Sequence, residues 1–281
     1  MSEVKLQGGP IAYRESGEGR PIVFVHGLLV DGSLWRKVTP LLDGEFRCIV
    51  PDLPLGSHRA PMSPDADLSP PGLARLVAGF LEALELEDVT LVANDTGGAI
   101  SQITAAHHPE RIGRLVLTNC DAFENFLPPA FRPLQWTAKV PGALTAILQG
   151  MRLAPMRRLP IAYGWLIKRD FDDAPTREWV EPYLSDRAIR RDTIKVLKGI
   201  DSKYTIEAAE RLTEFDRPTL LAWAVEDRFF KVSFAERLAE KIKGATLERI
   251  EDSYTFVSED QPERLASLIA ELARKESPAR A

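Results

Sequence analysis

The stretch that decides the fold of this chain is Leu91-Val92-Ala93-Asn94-Asp95-Thr96-Gly97-Gly98-Ala99-Ile100. Its first half is apolar and typical of a buried strand, and its second half has the pattern of a helix start. Asp95 falls at the turn between the two. Ala93, Gly97 and Gly98 surround it, because such a turn brings backbone close to backbone. The stretch therefore predicts a sharp strand-to-helix turn with one carboxylate at its apex.

Short apolar runs rich in β-branched residues alternate with helical patterns along the chain. This alternation is typical of a mostly parallel sheet with helices on both faces. The predicted strands cover 22–25, 48–51, 89–92, 115–118, 219–223 and 245–250, after an edge hairpin at 4–6 and 11–14, and the predicted helices include 71–84, 98–107 and 262–274. Ligands of open α/β sheets bind at the carboxyl ends of the strands. Asp95 lies at such an end.

The turn at Asp95 resembles the nucleophile elbow of the α/β-hydrolase superfamily, in which a strained strand-to-helix turn exposes one side chain above the sheet. The resemblance is most specific at residues 22–38, 89–101, 219–230 and 251–263. It implies an α/β-hydrolase fold. The usual apex residue is Ser, and Asp at this place resembles the Asp-nucleophile branch, the haloalkane dehalogenases and epoxide hydrolases. In that branch the carboxylate attacks carbon and forms an ester intermediate.

Residues 122–190 interrupt the alternation with eight prolines, helical patches and no clear strand. This segment follows the strand at 115–118, where the superfamily inserts a helical cap. The resemblance therefore implies a core of residues 1–121 and 191–281 and a helical cap of residues 122–190, the ceiling of a pocket. Within it, the basic and apolar residues 151–158 resemble a membrane-touching helix, but we interpret them as a solvated face.

The resemblance also assigns groups around Asp95. The N–H groups of Leu28, in the His-Gly loop, and of Thr96 would form the oxyanion hole. Trp35 would pack behind the pocket, and His26 would be a structural histidine. Haloalkane dehalogenases often use an Asn and a Trp at the places of Leu28 and Thr96 to grip halide, and neither side chain here is a good N–H donor.

Epoxide hydrolases carry two cap tyrosines that protonate the opening oxygen. Tyr163 and Tyr183 of the predicted cap are the candidates for that role.

The supporting acid has two candidates. Asp227 follows the strand at 219–223 by a few residues, at the common position of the superfamily's acid, whose task is to orient the catalytic imidazole. Asp121, just after the strand at 115–118, is the other position at which members of the superfamily carry it. Asp227 is the better match, and Asp121 stays open.

The expected catalytic base is missing. After the last strand the family carries Gly-His-Phe, whereas this chain reads Ser253-Tyr254-Thr255-Phe256. Thr255 therefore occupies the position of the His, and a Thr has no basic form near neutral pH. Of the four histidines, only His58 lies in a loop that can reach the pocket rim. It is either a relocated base or a solvent-exposed loop histidine.

The composition of the chain limits the classes of function that it can have. The 281 residues carry a net charge of −5, with 44% hydrophobic and 27% charged residues, which is ordinary for a globular protein and does not favour a polyanionic partner. Cys48 and Cys120 are too few for a disulfide framework. No signal peptide, phosphate-binding glycine loop or metal-ligand spacing is recognisable. We therefore expect a cytoplasmic monomer or homodimer with no cofactor, no metal, no nucleic-acid partner and no membrane partner.

The sequence thus predicts an enzyme for a small or medium apolar organic substrate, with Asp95 as nucleophile or general base. Hydrolysis like that of epoxide hydrolases is the leading hypothesis. Two alternatives follow from the missing base. One is a non-hydrolytic lyase or isomerase on the same fold. The other is a ligand-binding or sensor protein that has lost catalysis.

Overall fold

The sheet of this protein has eight strands. The structure is a computed structural model that describes residues 1–169 and 171–277. The strands are β1 (Ser2–Leu6), β2 (Gly9–Ser16), β3 (Pro21–Val25), β4 (Arg47–Pro51), β5 (Val89–Asn94), β6 (Ile112–Cys120), β7 (Thr219–Ala224) and β8 (Thr246–Ile250). Their order in the sheet is β1-β2-β4-β3-β5-β6-β7-β8. The first two strands form an antiparallel edge hairpin, and β3 to β8 are parallel to one another.

Helices connect the strands and cover the sheet. The α-helices are α1 (Pro70–Ala83), α2 (Asp95–His107), α3 (Arg132–Thr137), α4 (Ala143–Gln149), α5 (Ala154–Arg157), α6 (Asp173–Ser185), α7 (Arg187–Gly199), α8 (Ser202–Arg211), α9 (Val232–Lys241), α10 (Val257–Asp260) and α11 (Pro262–Ala273). Every residue of β5, β6 and β7 is buried, which requires cover on both faces of the sheet. Within the described ranges no helix is long and apolar enough to cross a membrane.

The predicted α/β architecture is confirmed, and the strands that carry the elbow are longer than predicted. β5 continues through Asn94, and α2 begins at Asp95 itself. The helix start predicted at residue 98 is therefore three residues late, because Gly97 and Gly98 are poor helix formers in isolation. In the folded chain they lie inside a helix that packs on β5 and β6.

The described residues between β6 and β7 form helices and no strand. The predicted boundary after residue 190 falls inside α7, a continuous helix from Arg187 to Gly199, because sequence composition does not reveal where a helix crosses from one layer to another. That residues 122–190 act as a separate cap stays a prediction, and we call them the cap segment below.

The sheet register places three acidic residues at one edge. Ala93 pairs with Leu117, and Thr118 pairs with Ala222, so β5, β6 and β7 end side by side. Asp95, Asp121 and Asp227 follow these ends within three residues. The site described next therefore results from strand order, since parallel strands deliver their carboxyl ends to the same edge.

Candidate active site

Asp95 lies at the apex of the turn between β5 and α2 and adopts a φ of +54°. This left-handed conformation is strained for most residues, but Asp and Asn tolerate it better than others. Close packing surrounds the turn. A Cβ atom added to Gly27 would lie 2.3 Å from Oδ2 of Asp95, and one added to Gly97 would lie 2.3 Å from the carbonyl oxygen of His26. Glycine at both positions is what lets the His-Gly loop contact the elbow.

Burial raises the pKa of the Asp95 carboxyl to about 7, and the nearby charge of Asp227 adds to the effect. The backbone N–H groups of Thr96 and Leu28 hydrogen-bond to this carboxyl and oppose the rise. The two predicted oxyanion-hole amides therefore contact Asp95 itself. Amides in these positions can stabilise the negative charge that develops on a carboxyl oxygen when an aspartyl ester is attacked.

Asp227 follows β7 and is almost fully buried. Its Oδ1 atom accepts hydrogen bonds from the backbone N–H groups of Phe229, at 2.7 Å, and of Phe230, at 3.0 Å. Its Oδ2 atom is buried and has no hydrogen bond of good geometry among the described residues, although the Thr255 and Asn119 side chains lie close enough to lower the pKa of the carboxyl. Burial raises the pKa of Asp227 to about 6, against the opposing hydrogen bonds. The turn thus holds Oδ1 of Asp227, and Oδ2 is available to accept a proton or a hydrogen bond.

Thr255 is fully buried between β8 and α10. The side-chain amide of Asn94 donates a hydrogen bond of 2.8 Å to its carbonyl oxygen, which ties the Thr255 loop to the end of β5. The hydroxyl lies close enough to Asp227 to lower the pKa of that carboxyl. Its own Oγ1 atom has no well-formed hydrogen bond within the described part of the chain. The structure therefore brings Thr255 to the acid and the elbow, where the sequence comparison with the family predicts the base.

Asp121, the alternative acid, also belongs to this site. Its backbone N–H donates to the Asp95 carbonyl oxygen at 3.4 Å. The Thr96 hydroxyl lies 3.3 Å from Oδ2 of Asp121 and 3.5 Å from Oδ1 of Asp95, so one hydroxyl proton lies between two carboxyls. Burial, together with the charge of Asp95, raises the pKa of Asp121 well above its usual range. The structure thus brings both Asp121 and Asp227 close to Asp95, and which of the two is the supporting acid stays a prediction.

The site is a cluster of three carboxyls. No Lys, Arg or His within residues 1–169 and 171–277 forms an ion pair with Asp95, Asp121 or Asp227. Without a cation, like charges at short range keep some of the carboxyls protonated at neutral pH. The same ranges contain no group of three or more His, Cys, Asp or Glu side chains arranged to hold a metal ion.

His58 faces a different partner. It is buried rather than solvent-exposed, which corrects the exposed-loop interpretation. Its Nδ1 atom accepts from the backbone N–H of Gly56 at 3.4 Å, and its Nε2 atom lies 3.4 Å from Oδ2 of Asp192 on α7. The described hydrogen bonds do not connect it to Asp95. A contact with α7, 134 residues away in sequence, is not visible in local sequence patterns.

His26 and Trp35 have structural surroundings. The Nε2 atom of His26 accepts a hydrogen bond of 2.8 Å from the backbone N–H of Leu53, as expected of a histidine that joins two loops. Trp35 is fully buried and packs on Phe24 with 5.3 Å between ring centroids. Trp35 therefore supports the sheet from behind the site.

The two cap tyrosines use their hydroxyls on the protein. Tyr163 donates a hydrogen bond of 2.6 Å to the carbonyl oxygen of Leu29. It lies near enough to the elbow for the charge of Asp95 to contribute to the rise in its pKa, which burial dominates. Tyr183 instead pairs with Thr145 at 3.1 Å. Of the two, the structure brings only Tyr163 to the neighbourhood of Asp95.

Sequence reasoning missed an aromatic group beside the acid. Phe229 anchors the Asp227 turn and packs on Phe131 at 4.7 Å and on Trp165 at 6.2 Å between ring centroids. Phe131 and Trp165 belong to the cap segment, so these rings join it to the core. Phe229 and Phe230 follow Asp227 by two and three residues in sequence, and this closeness was the available signal. Asn94 was also missed, because it precedes the elbow within an apparently apolar strand.

Comparison with known proteins agrees with the fold. The family model of the α/β hydrolase fold matches residues 20–262, and the chain therefore belongs to the α/β-hydrolase family. It is similar to the cis-3-alkyl-4-alkyloxetan-2-one decarboxylase of Shewanella oneidensis, with 28% identity over 276 residues that cover 93% of this chain and 84% of that protein. It is also similar to the haloalkane dehalogenase of Agrobacterium fabrum, with 26% identity over 267 residues that cover 91% and 85%.

A solved structure has the same architecture. An α/β hydrolase fold protein from Burkholderia ambifaria superposes with a TM-score of 0.82 at 24% identity, over 96% of this chain and 97% of its own. The predicted α/β-hydrolase fold is thus confirmed. The relatives include both hydrolytic and decarboxylating enzymes, so family membership does not decide the reaction.

Proposed function

We propose that this protein is an enzyme in which Asp95 forms an alkyl ester with a small or medium apolar electrophile and then releases it without water. The observation that carries the proposal is the surroundings of Asp95: a carboxyl at the apex of the elbow, contacted by two backbone amides, with the hydroxyl of Thr255 near the position expected of an imidazole.

The first step needs ionised Asp95. A carboxylate oxygen of Asp95 attacks a ring carbon that bears a strained C–O bond, the C–O bond breaks, and its electron pair goes to the leaving oxygen. With a pKa of about 7, Asp95 is largely protonated below neutral pH. A protonated neighbour such as Asp121 is suited to the opposite task, since a buried carboxylic acid can donate a hydrogen bond to the leaving oxygen.

The second step distinguishes this site from that of a hydrolase. Hydrolysis of the ester requires a base that activates water, and Thr255 cannot supply one. An ester whose neighbouring carbon carries a carboxylate needs no such base. Loss of CO2 supplies the electron pair of the new C=C bond, the C–O bond to Asp95 breaks, and the carboxylate of Asp95 is regenerated. The relatives named as oxetanone decarboxylases act on rings whose opening creates that carboxylate. We therefore propose a 3,4-dialkyl-oxetan-2-one as the substrate class, with an alkene and CO2 as products.

Hydrolysis like that of epoxide hydrolases is the second candidate, and one observation favours it. Oδ2 of Asp227 is buried without a hydrogen bond of good geometry in the described chain, and the pKa of Asp227 is about 6. A carboxylate with these properties can act as the base for water above pH 6. His58 does not enter either route, since its ring faces Asp192.

A single-turnover experiment in H2¹⁸O separates the routes. The protein is mixed with a cis-3,4-dialkyl-oxetan-2-one, a cis-epoxide or an alkyl bromide of matched chain length. Volatile products are identified, and the peptide that contains Asp95 is weighed. Asp95→Ala tests the nucleophile. Asp88→Ala is the matched control, because Asp88 adopts a similar left-handed conformation with a φ of +52° and lies away from the site.

Alkene and CO2 without ¹⁸O in Asp95 support the proposal. A diol or alcohol together with ¹⁸O in Asp95 supports hydrolysis instead. A stable mass adduct on Asp95 without turnover indicates a covalent trap. Absence of both products and adducts with all three probes refutes a nucleophilic Asp95 and favours the ligand-binding hypothesis.

A further inference from the structure

The outer side of the cap segment exposes an unusual number of large apolar side chains. Among the described residues, eleven large apolar side chains are exposed, and eight of them lie between residues 136 and 165. The most exposed are Trp136 at 61%, Val140 at 56%, Ile147 at 51%, Leu153 at 62% and Ile161 at 65%. A concentration of this kind on one segment marks a contact surface rather than ordinary scatter.

The same segment has an unusual charge. Residues 125–169 contain seven of the 36 basic residues of the chain and none of the 41 acidic ones. The remainder of the chain carries 29 basic against 41 acidic residues, a net charge of −12. The charge of the protein is therefore sharply divided, and the exposed apolar side chains lie in its basic part.

Three of the seven cations have acidic partners: Arg157 pairs with Asp173, Lys168 with Glu226 and Arg169 with Asp252. The other four are exposed and form no ion pair within the described ranges. These four are Arg132, Lys139, Arg152 and Arg158. Arg158 lies over the ring of Phe171 at 4.8 Å, but no acidic side chain of the described residues neutralises these four cations.

The local structure exposes both the apolar side chains and the cations to solvent. In α4, Leu144 and Leu148 are buried while Ile147 is exposed. The following turn, Gly150–Arg152, packs against α4, α5 and α6 and leaves Arg152 and Leu153 exposed. We call the exposed apolar residues of 136–161 together with the four cations that form no ion pair the cap outer surface.

We propose that the cap outer surface binds the surface of an anionic phospholipid bilayer, in place of the solvated face and the absence of a membrane partner expected from the sequence. Tryptophan and aliphatic side chains insert at the boundary of headgroups and acyl chains, and cations beside them are attracted to anionic lipids. A second copy of the chain is a poorer occupant, because a symmetric contact would oppose like charges. A nucleic acid is also a poorer occupant, because it has little use for exposed Leu and Ile side chains. The proposal does not depend on the reaction at Asp95.

Vesicle flotation tests the proposal. The full chain is mixed with vesicles of phosphatidylcholine alone or with 30% phosphatidylglycerol, in low and high NaCl. The test variant is Arg152→Glu/Leu153→Asp. The matched control is Lys203→Glu/Ile206→Asp on α8, where one cation and one exposed aliphatic residue also lie close together. Far-ultraviolet circular dichroism verifies that both variants are folded.

We expect binding to the anionic vesicles that weakens in high salt, little binding to neutral vesicles, and an affinity about 30-fold or more lower for the test variant. Charge reversal at Arg152 changes the charge by two units, each equivalent to ~1 kcal/mol near such a surface, which is about 30-fold together, and Leu153→Asp adds a third unit. The control variant should bind like the original chain. Bromine-labelled acyl chains should quench tryptophan fluorescence in the original chain, and less so in Trp136→Phe.

Equal binding to neutral and anionic vesicles, or no binding to either, overturns the proposal. An equal loss in the control variant overturns it as well. Two further results assign the surface to another occupant and also overturn it: a change from dimer to monomer in the test variant by size-exclusion chromatography, or salt-sensitive binding of a single-stranded RNA in place of vesicles.

Discussion

Replacing Asp95 by Asn should stabilise the protein, and increasingly so as pH rises. The pKa of Asp95 is raised from 3.8 to about 7, chiefly by burial. The folded protein therefore holds this proton more tightly than the unfolded chain. The resulting stabilisation is complete below pH 4 and is lost as pH rises toward 7. Asn keeps the size of Asp and tolerates the left-handed φ of +54°, so the substitution removes the titration and little else.

The magnitude follows from linkage. A carboxyl with a pKa of 3.8 when unfolded and about 7 when folded lowers the free energy of unfolding by ~3 kcal/mol between pH 5 and pH 8, at about 1.4 kcal/mol per pKa unit. The Asp95→Asn variant has no carboxyl at this position and does not lose this stability. Its stability relative to the original chain should therefore increase by ~3 kcal/mol over the same interval, because no described cation compensates the charge of this partly buried carboxyl.

Urea unfolding at pH 5, 6, 7 and 8 measures the difference. Asp88→Asn is the control of opposite sign, since hydrogen bonds from Ser277 and Arg114 outweigh burial and lower the pKa of Asp88. That variant should be less stable than the original chain by an amount nearly constant from pH 5 to pH 8. A difference between Asp95→Asn and the original chain that does not change with pH would refute the raised pKa, and with it the buried carboxyl cluster.

Three further predictions concern the neighbours of Asp95. Asp227→Asn removes a charge that raises the pKa of Asp95, so the pH midpoint of ester formation should fall below 7. Rapid-quench kinetics at a series of pH values measure this midpoint, and an unchanged midpoint would contradict the effect of Asp227 on Asp95. Thr255→His places an imidazole near Asp227 and should accelerate hydrolysis of an Asp95 ester by ~10²-fold or more. The incorporation of ¹⁸O into Asp95 measures this hydrolysis. A folded variant without the gain would show that residue 255 does not occupy the position of the base. His58→Ala leaves Asp192 without its imidazole partner and should lower the free energy of unfolding by ~1–3 kcal/mol. The rate of ester breakdown should not change. A breakdown that is ~10²-fold slower would instead identify His58 as the base.

The positions of Asp95, Thr96 and Thr255 could be predicted from local sequence patterns. The apolar run before Asp95 and the glycines after it depend on neighbours within one turn, so the elbow could be recognised without a structure. The same holds for the alternation of strands and helices, since period and turn residues are local properties. The position of Thr255 followed from its spacing to Phe256 and Pro262, which the family shares.

By itself, the sequence determined the order of elements, the carboxylate at the apex of the elbow and the Thr in place of the usual His. Only the tertiary structure decided that Asp121 and Asp227 both join Asp95, that His58 faces Asp192, and that the Tyr163 hydroxyl bonds to Leu29. The reason is distance along the chain. His58 and Asp192, like Leu29 and Tyr163, are 134 residues apart, and such partners are selected by packing of the whole fold rather than by any pattern near either residue.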